Sequence, residues 1–210
     1  MMTDGVVLDG ARTLFGSPLF EFSLPDAGRL NAELLSIALA ARTGSPGVRR
    51  SNRGGWQSHD DLFRRDQPAC RALCRHLVDA AEAATHAAAP DFDREAGALQ
   101  VEGWFNINET GHANAPHDHP GWLWVGVYYV QAATGSGEIE LVDARPLSRA
   151  QRAIGAGCFA ASHRVTPRPG LLLLFPAHLR HGVAPNAAAT PRVSVAFNAR
   201  YRELPPPDPR

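Results

Sequence analysis

Apolar residues follow two rhythms along the chain, and the change comes near residue 98. In the first part Leu30, Leu34, Leu35, Ile37 and Ala41 recur at helical spacing behind the start signal Ser23-Leu24-Pro25-Asp26. Leu73, Leu77, Ala80, Ala81 and Ala84 repeat the pattern later, so two helices are expected within about 24–90. Between them, residues 43–53 are rich in Gly, Ser, Pro and Arg and read as a loop leading to Gly54-Gly55-Trp56-Gln57-Ser58. Ahead of the first helix, residues 14–22 are apolar and aromatic enough for a short strand. From Leu99 the rhythm shortens to strand-like runs over 99–108, 122–131, 137–142, 158–165, 170–175, 182–184 and 192–201. Short strands at this spacing predict a mainly β protein with N-terminal helices, its core over about 98–202 a jelly roll, the cupin-like double-stranded β-helix. Prolines 116, 120, 146, 167, 169, 176, 185 and 191 fall between these runs, where a missing amide donor does least harm.

Bulk composition narrows the function classes. At 210 residues the chain is expected to form one domain over 1–204, with 205–210 a disordered Pro-rich tail. Lys+Arg and Asp+Glu balance at 21 each, so no global field draws the protein to nucleic acid or anionic lipid. The start has no basic region followed by an apolar one, and no apolar run could cross a bilayer, so a cytoplasmic protein that acts on a small molecule is expected. Cys70, Cys74 and Cys158 are odd in number and lack a metal-site spacing, which reads as buried free thiols.

The chemistry concentrates in the histidines. His112, His117 and His119 precede the strand-like run 123–130, and His178 and His181 follow another apolar run. In an extended chain residues i and i+2 project to the same side, so His117 and His119 can offer two imidazoles to one ion while Asp118 points away. A third ligand has to come from a distant strand, and His181 supplies it. In the run that opens at Arg192, alternation puts Arg192, Ser194 and Ala196 on one face toward the interior. A buried guanidinium needs an anionic partner, and a carboxylate suits it in a bidentate fork. The structural alternative is an ion pair with Glu138 or Glu140.

Together these motifs resemble the 2-oxoglutarate/Fe(II) oxygenases of bacteria and phages, a branch of the double-stranded β-helix dioxygenases. The resemblance is carried, in order, by Gly54-Gly55-Trp56-Gln57-Ser58, Trp104-Phe105-Asn106, the segment 114–120 with both histidines, Gly126-Val127-Tyr128-Tyr129-Val130, Phe175-Pro176 through His181, Val183-Ala184-Pro185-Asn186 and 192–198. It implies iron(II) held by His117, His119 and His181, and Arg192 gripping 2-oxoglutarate, with dioxygen as the third reactant. The sequence departs from the family at Val125, where serine is usual, and at Asp143-Ala144-Arg145, where Asp-Pro-Arg is usual. The wider superfamily uses His-x-Asp, so His119 stands in the carboxylate's place. Two ligand sets follow: three imidazoles, or two with a carboxylate such as Asp118.

The resemblance further implies a dioxygenase that hydroxylates a small or amino-acid-like molecule and releases succinate and carbon dioxide. Ser194, Tyr128 and Asn106 are expected to help bind the cosubstrate. Trp56, Gln57, His112, Trp122 and Trp124 are the residues to consider for the substrate, although the two tryptophans could equally form a packed face. Edge strands of a jelly roll could pair in a homodimer. Two other classes remain: a cupin-type metalloenzyme that does not use 2-oxoglutarate, and a noncatalytic jelly-roll binding module.

Overall fold

The computed structural model describes residues 13–24, 26–93, 95 and 97–202; the tail expected over 205–210 lies outside the described residues. The two helical rhythms become α1 (Ala27–Thr43) and α2 (Pro68–Ala88), with Pro68 at the first turn of α2, where its missing N–H costs nothing. A short third helix, α3 (Arg149–Ile154), was not expected; Ser148 and Gln151 form a capping box at its start. The strands are β1 (Phe20–Ser23), β2 (Asn52–Arg53), β3 (Trp56–Gln57), β4 (Ala98–Asn108), β5 (Ala113–His117), β6 (Trp124–Gln131), β7 (Ile139–Val142), β8 (Ser162–Val165), β9 (Leu171–Pro176), β10 (Arg180–Val183) and β11 (Arg192–Arg202).

They form two antiparallel sheets, a six-stranded one in the order β1-β9-β6-β11-β4-β3 and a five-stranded one in the order β2-β5-β10-β7-β8. This is the mainly β jelly roll that the sequence predicts. The six-stranded sheet is buried on both faces, which is why Leu171 to Phe175 is apolar without alternation. Period-two geometry sorts its side chains. Trp124, Tyr128, Leu172, Leu174, Val193, Val195, Phe197, Phe105 and Ile107 pack under α1 and α2. On the opposite face Val125, Tyr129, Leu171, Leu173 and Phe175 meet Ile139, Leu141 and Val165 of the second sheet.

Several expected boundaries move. The strand expected from 122 begins at Trp124, the one from 137 at Ile139, and 182–184 becomes Arg180–Val183. The first half of 158–165 is not strand, because Gly157–Phe159 is a turn of 3-10 helix and only Ser162–Val165 pairs. The segment 113–117 falls outside the expected strand-like runs, with Pro116 between them. It forms β5, and Pro116 falls where a register shift between His181 and Val183 interrupts the ladder with β10. Cys70 is buried as expected, but Cys74 is only half-buried and Cys158 is exposed. No helix among the described residues is long and apolar enough to cross a membrane.

Candidate metal and cosubstrate site

The site lies between the sheets. β5 ends on His117, and β10 sets His181 directly opposite it as a ladder partner, their rings 4.4 Å apart. His119 follows in the extended segment after β5, where its N–H donates to Ala177 O (3.1 Å). Its ring stands 5.0 Å from His117 and 5.3 Å from His181. The ligand atoms of the three imidazoles all lie within 4.8 Å of one another. Among the described residues no carboxylate joins this group, and Asp118 is exposed at the rim.

Local contacts set each ring. His117 Nδ1 lies 2.8 Å from Ala115 O and His181 Nδ1 lies 3.0 Å from Leu179 O. A carbonyl only accepts, so both rings carry their proton on Nδ1 and leave the Nε2 lone pair for an ion. Trp104 lies parallel to His119 (6.2 Å, 9°), and Phe175 meets His181 edge-on. Burial, followed by the nearby His117 ring, lowers the His119 pKa to about 4, with the Asn198 side chain opposing. Burial takes His181 down to about 3. Both are therefore neutral at pH 7, the form a metal requires.

The larger sheet builds the other wall in rows set by register. Asn106, Ser194 and Tyr129 are cross-strand neighbours, and the next row toward the closed end holds Asn108 and Arg192. Asn106, Ser194, Tyr129 and Arg192 line the same inner cavity, of ≈ 60 Å³, as the three imidazoles. Arg192 is 2% exposed. Its Nη1 donates to the carbonyls of Ser136 and Gly137, whereas Nη2 has no partner among the described residues. The alternative ion pair does not form, because Glu138 accepts from Thr166 and Glu140 from Ser162 and Arg164. The Tyr129 hydroxyl is also buried without a partner among the described residues.

Some expected residues lie elsewhere. Tyr128 is on the helix side of β6, donating to Asn31 Oδ1 (2.6 Å), so its neighbour Tyr129 is the tyrosine of the cavity. The run 124–130 is apolar on both faces, and only pairing with β11 resolves its parity. Trp56 packs against the core on the helix side of the sheet and donates to Ser45 O, and His112 accepts from the Glu109 N–H in a turn. Trp124 is buried under α2, donating to Thr85 Oγ1 (2.8 Å). Trp122 precedes the strand and does not share its face; it lines a mouth of ≈ 450 Å³ that reaches His117 and His119, together with Arg50, Arg53, Gln57, Trp104 and Asp118. A larger hollow of ≈ 800 Å³ beside β7 contains none of the three imidazoles.

Residues 102–198 match the family model described as "Putative 2OG-Fe(II) oxygenase". This stretch is a 2OG-Fe(II) oxygenase domain. The three histidines and Arg192 all fall inside it, and iron and 2-oxoglutarate are the cofactors of such an oxygenase. Solved structures share the fold of the oxygenase domain and its helices. A prolyl-4-hydroxylase of Pseudomonas putida aligns over 89% of this chain and 94% of its own, with 17% identity and a TM-score of 0.62. The 2-oxoglutarate-dependent epimerase SnoN from nogalamycin biosynthesis aligns over 88% and 78%, with 18% identity and a TM-score of 0.62. HygX from Streptomyces hygroscopicus, bound to nickel, 2-oxoglutarate and hygromycin B, aligns over 87% and 82%, with 15% identity and a TM-score of 0.57. No curated protein matches by sequence.

Proposed function

We propose that His117, His119 and His181 hold the iron(II) of this oxygenase and that Arg192, Ser194 and Tyr129 receive the far carboxylate of 2-oxoglutarate. The enzyme then hydroxylates a small, amino-acid-like molecule that enters through the mouth, releasing succinate and carbon dioxide. The reading is carried by the buried Arg192 guanidinium, which faces the same cavity as the three imidazoles and has one nitrogen without a partner. Burying a charge unpaired costs several kcal/mol, so such a group is kept for an anion. When bound, iron(II) with 2-oxoglutarate and dioxygen supplies the oxidising chemistry.

The residues of this chain do the positioning. Ala115 O and Leu179 O hold the Nδ1 protons of His117 and His181 and so aim Nε2 inward. Ser136 O and Gly137 O fix Arg192 from behind, leaving Nη2 for the ligand. Asn106 stands beside Ser194 as a further polar contact. Phe175, Val125 and Val127 keep the remaining cavity wall apolar and limit water. A metalloenzyme without 2-oxoglutarate would have no use for the unpaired guanidinium, and a noncatalytic module would have no use for three imidazoles open to one cavity.

The test is anaerobic titration of the Fe(II)-loaded protein with 2-oxoglutarate. A visible charge-transfer band that saturates at one equivalent is expected, with succinate formed once oxygen is admitted. No band, or an unchanged affinity in Arg192→Met, would overturn the reading.

A further inference from the structure

Gln57 combines burial, rigidity and an unused donor. It is 2% exposed, and its Nε2 has no hydrogen-bond partner among the described residues. It lines both the inner cavity and the outer mouth, and so stands on the boundary between them. The backbone cannot easily carry it away. Gln57 O accepts from the Val48 N–H (2.9 Å), Gln57 pairs with Asn106, and Ser58 is bonded to Phe105 in both directions at 3.0 Å. On the other face Trp56 is anchored through Nε1 to Ser45 O (2.9 Å). An amide donor held dry without a partner keeps its desolvation penalty, which a ligand acceptor would recover.

The charges of the mouth show what that acceptor belongs to. Arg50 is committed to Asp60 (2.6 Å), with its guanidinium 5.9 Å over Trp104. Arg53, also on the mouth, reaches only the neighbouring Asn52 O (3.4 Å) and pairs with no carboxylate among the described residues. Arg53 and Gln57 therefore make the 50–57 segment a wall of unspent donors. The mouth also holds Glu102, whose Oε1 accepts from Asn198 (2.9 Å), and the exposed Asp118. A dianion would be repelled by these two carboxylates, whereas a zwitterion satisfies both signs.

We infer that residues 50–57 form the substrate-recognition wall of the mouth, and that this wall takes the carboxylate of an amino acid, with Gln57 as inner donor and Arg53 as outer cation. The inference rests on the oxygenase reading, in which Arg192, Ser194 and Tyr129 already receive the far carboxylate of the cosubstrate. It deepens that reading by naming the substrate group that is recognised, a free carboxylate, and two specificity residues. Neither acts on the reacting atoms; both position the substrate.

The experiment compares free L-amino acids with their primary amides as stimulants of succinate formation by the Fe(II)- and 2-oxoglutarate-loaded enzyme. The amide removes the negative charge and leaves the rest of each molecule unchanged. At least one acid is expected to stimulate turnover with kcat/KM about tenfold or more above its amide, the worth of one charge-assisted contact. In Arg53→Ala and in Gln57→Leu that acid-over-amide ratio should fall toward one, mainly through KM. Arg53 is exposed, so its variant tests the idea even if the Gln57 variant folds poorly. Titration of the same proteins with 2-oxoglutarate, read at the charge-transfer band, separates the two ligands. Amides as effective as acids, no response to any acid, or an unchanged ratio in both variants would overturn the inference. So would a Gln57→Leu variant that loses affinity for 2-oxoglutarate alone. Failure of the wild-type protein to show the band would instead overturn the oxygenase reading on which it stands.

Discussion

Two adjacent tyrosines show how much a single position on a strand decides. Tyr128 and Tyr129 are both buried, and burial raises both phenol pKa values, Tyr128 to about 12 and Tyr129 further still. Tyr128 spends its proton on Asn31, whereas Tyr129 keeps a free hydroxyl beside Arg192. Tyr128→Phe should therefore cost about 1–2 kcal/mol of stability, because a buried Asn31 acceptor is stranded, with 2-oxoglutarate affinity retained. Tyr129→Phe should do the reverse, weakening 2-oxoglutarate about tenfold with little change in the denaturation midpoint. Denaturant unfolding and anaerobic titration on the two variants check the assignment together. For the imidazoles, His117→Ala and His181→Ala should each abolish stoichiometric iron(II) retention, measured as metal content after desalting. His119 and His181 also carry a pH signature. Their folded pKa values, about 4 and about 3, lie below the ordinary 6.5, so the unfolded chain binds more protons between those limits. The contribution of these groups is complete above about pH 6.5 and is lost as pH falls toward 4, so the melting temperature of the metal-free protein should drop over that window. His119→Gln should flatten the slope.

At the level of elements, the site depends on how β6, β11 and β4 lie side by side. Their register brings Asn106, Ser194 and Tyr129 into one row, with Arg192 one row deeper. Gly126 is part of that fit. It pairs with Phe197, and a Cβ there would collide with the Phe197 ring. Gly126→Ala should cost about 1–3 kcal/mol by overpacking, read as a lower denaturation midpoint. The alternation in β11 was legible in the sequence because Arg192, Ser194 and Asn198 mark one face while Val193, Val195 and Phe197 mark the other. The parity of β6 was not, since both of its faces are buried and apolarity carries no phase. β5 was hidden for a different reason. Pro116 reads as a strand breaker, and it is tolerated only because the ladder to β10 is irregular at that point.

At the scale of the whole molecule, two sheets hold a cavity that three imidazoles and one guanidinium line and that shares His117, His119 and Gln57 with the mouth. Ligands that bind only this folded arrangement stabilise it by mass action. Saturating Mn(II) with 2-oxoglutarate, at about 100 times the dissociation constant, should add about 2.7 kcal/mol, seen as a rise in melting temperature that Arg192→Met reduces. The sequence by itself determined the two helices, the jelly-roll class and the three imidazoles, together with Arg192. Each of these leaves a local trace, as a periodicity or as a polar residue where apolar ones are due. Only the tertiary structure decided that Tyr129 and not Tyr128 faces the cavity, that Trp124 is core, and that Gln57 stands between cavity and mouth with a donor to spare. Those outcomes depend on which strands pair and in what register, and strand pairing joins residues too far apart in the chain for any local pattern to record it.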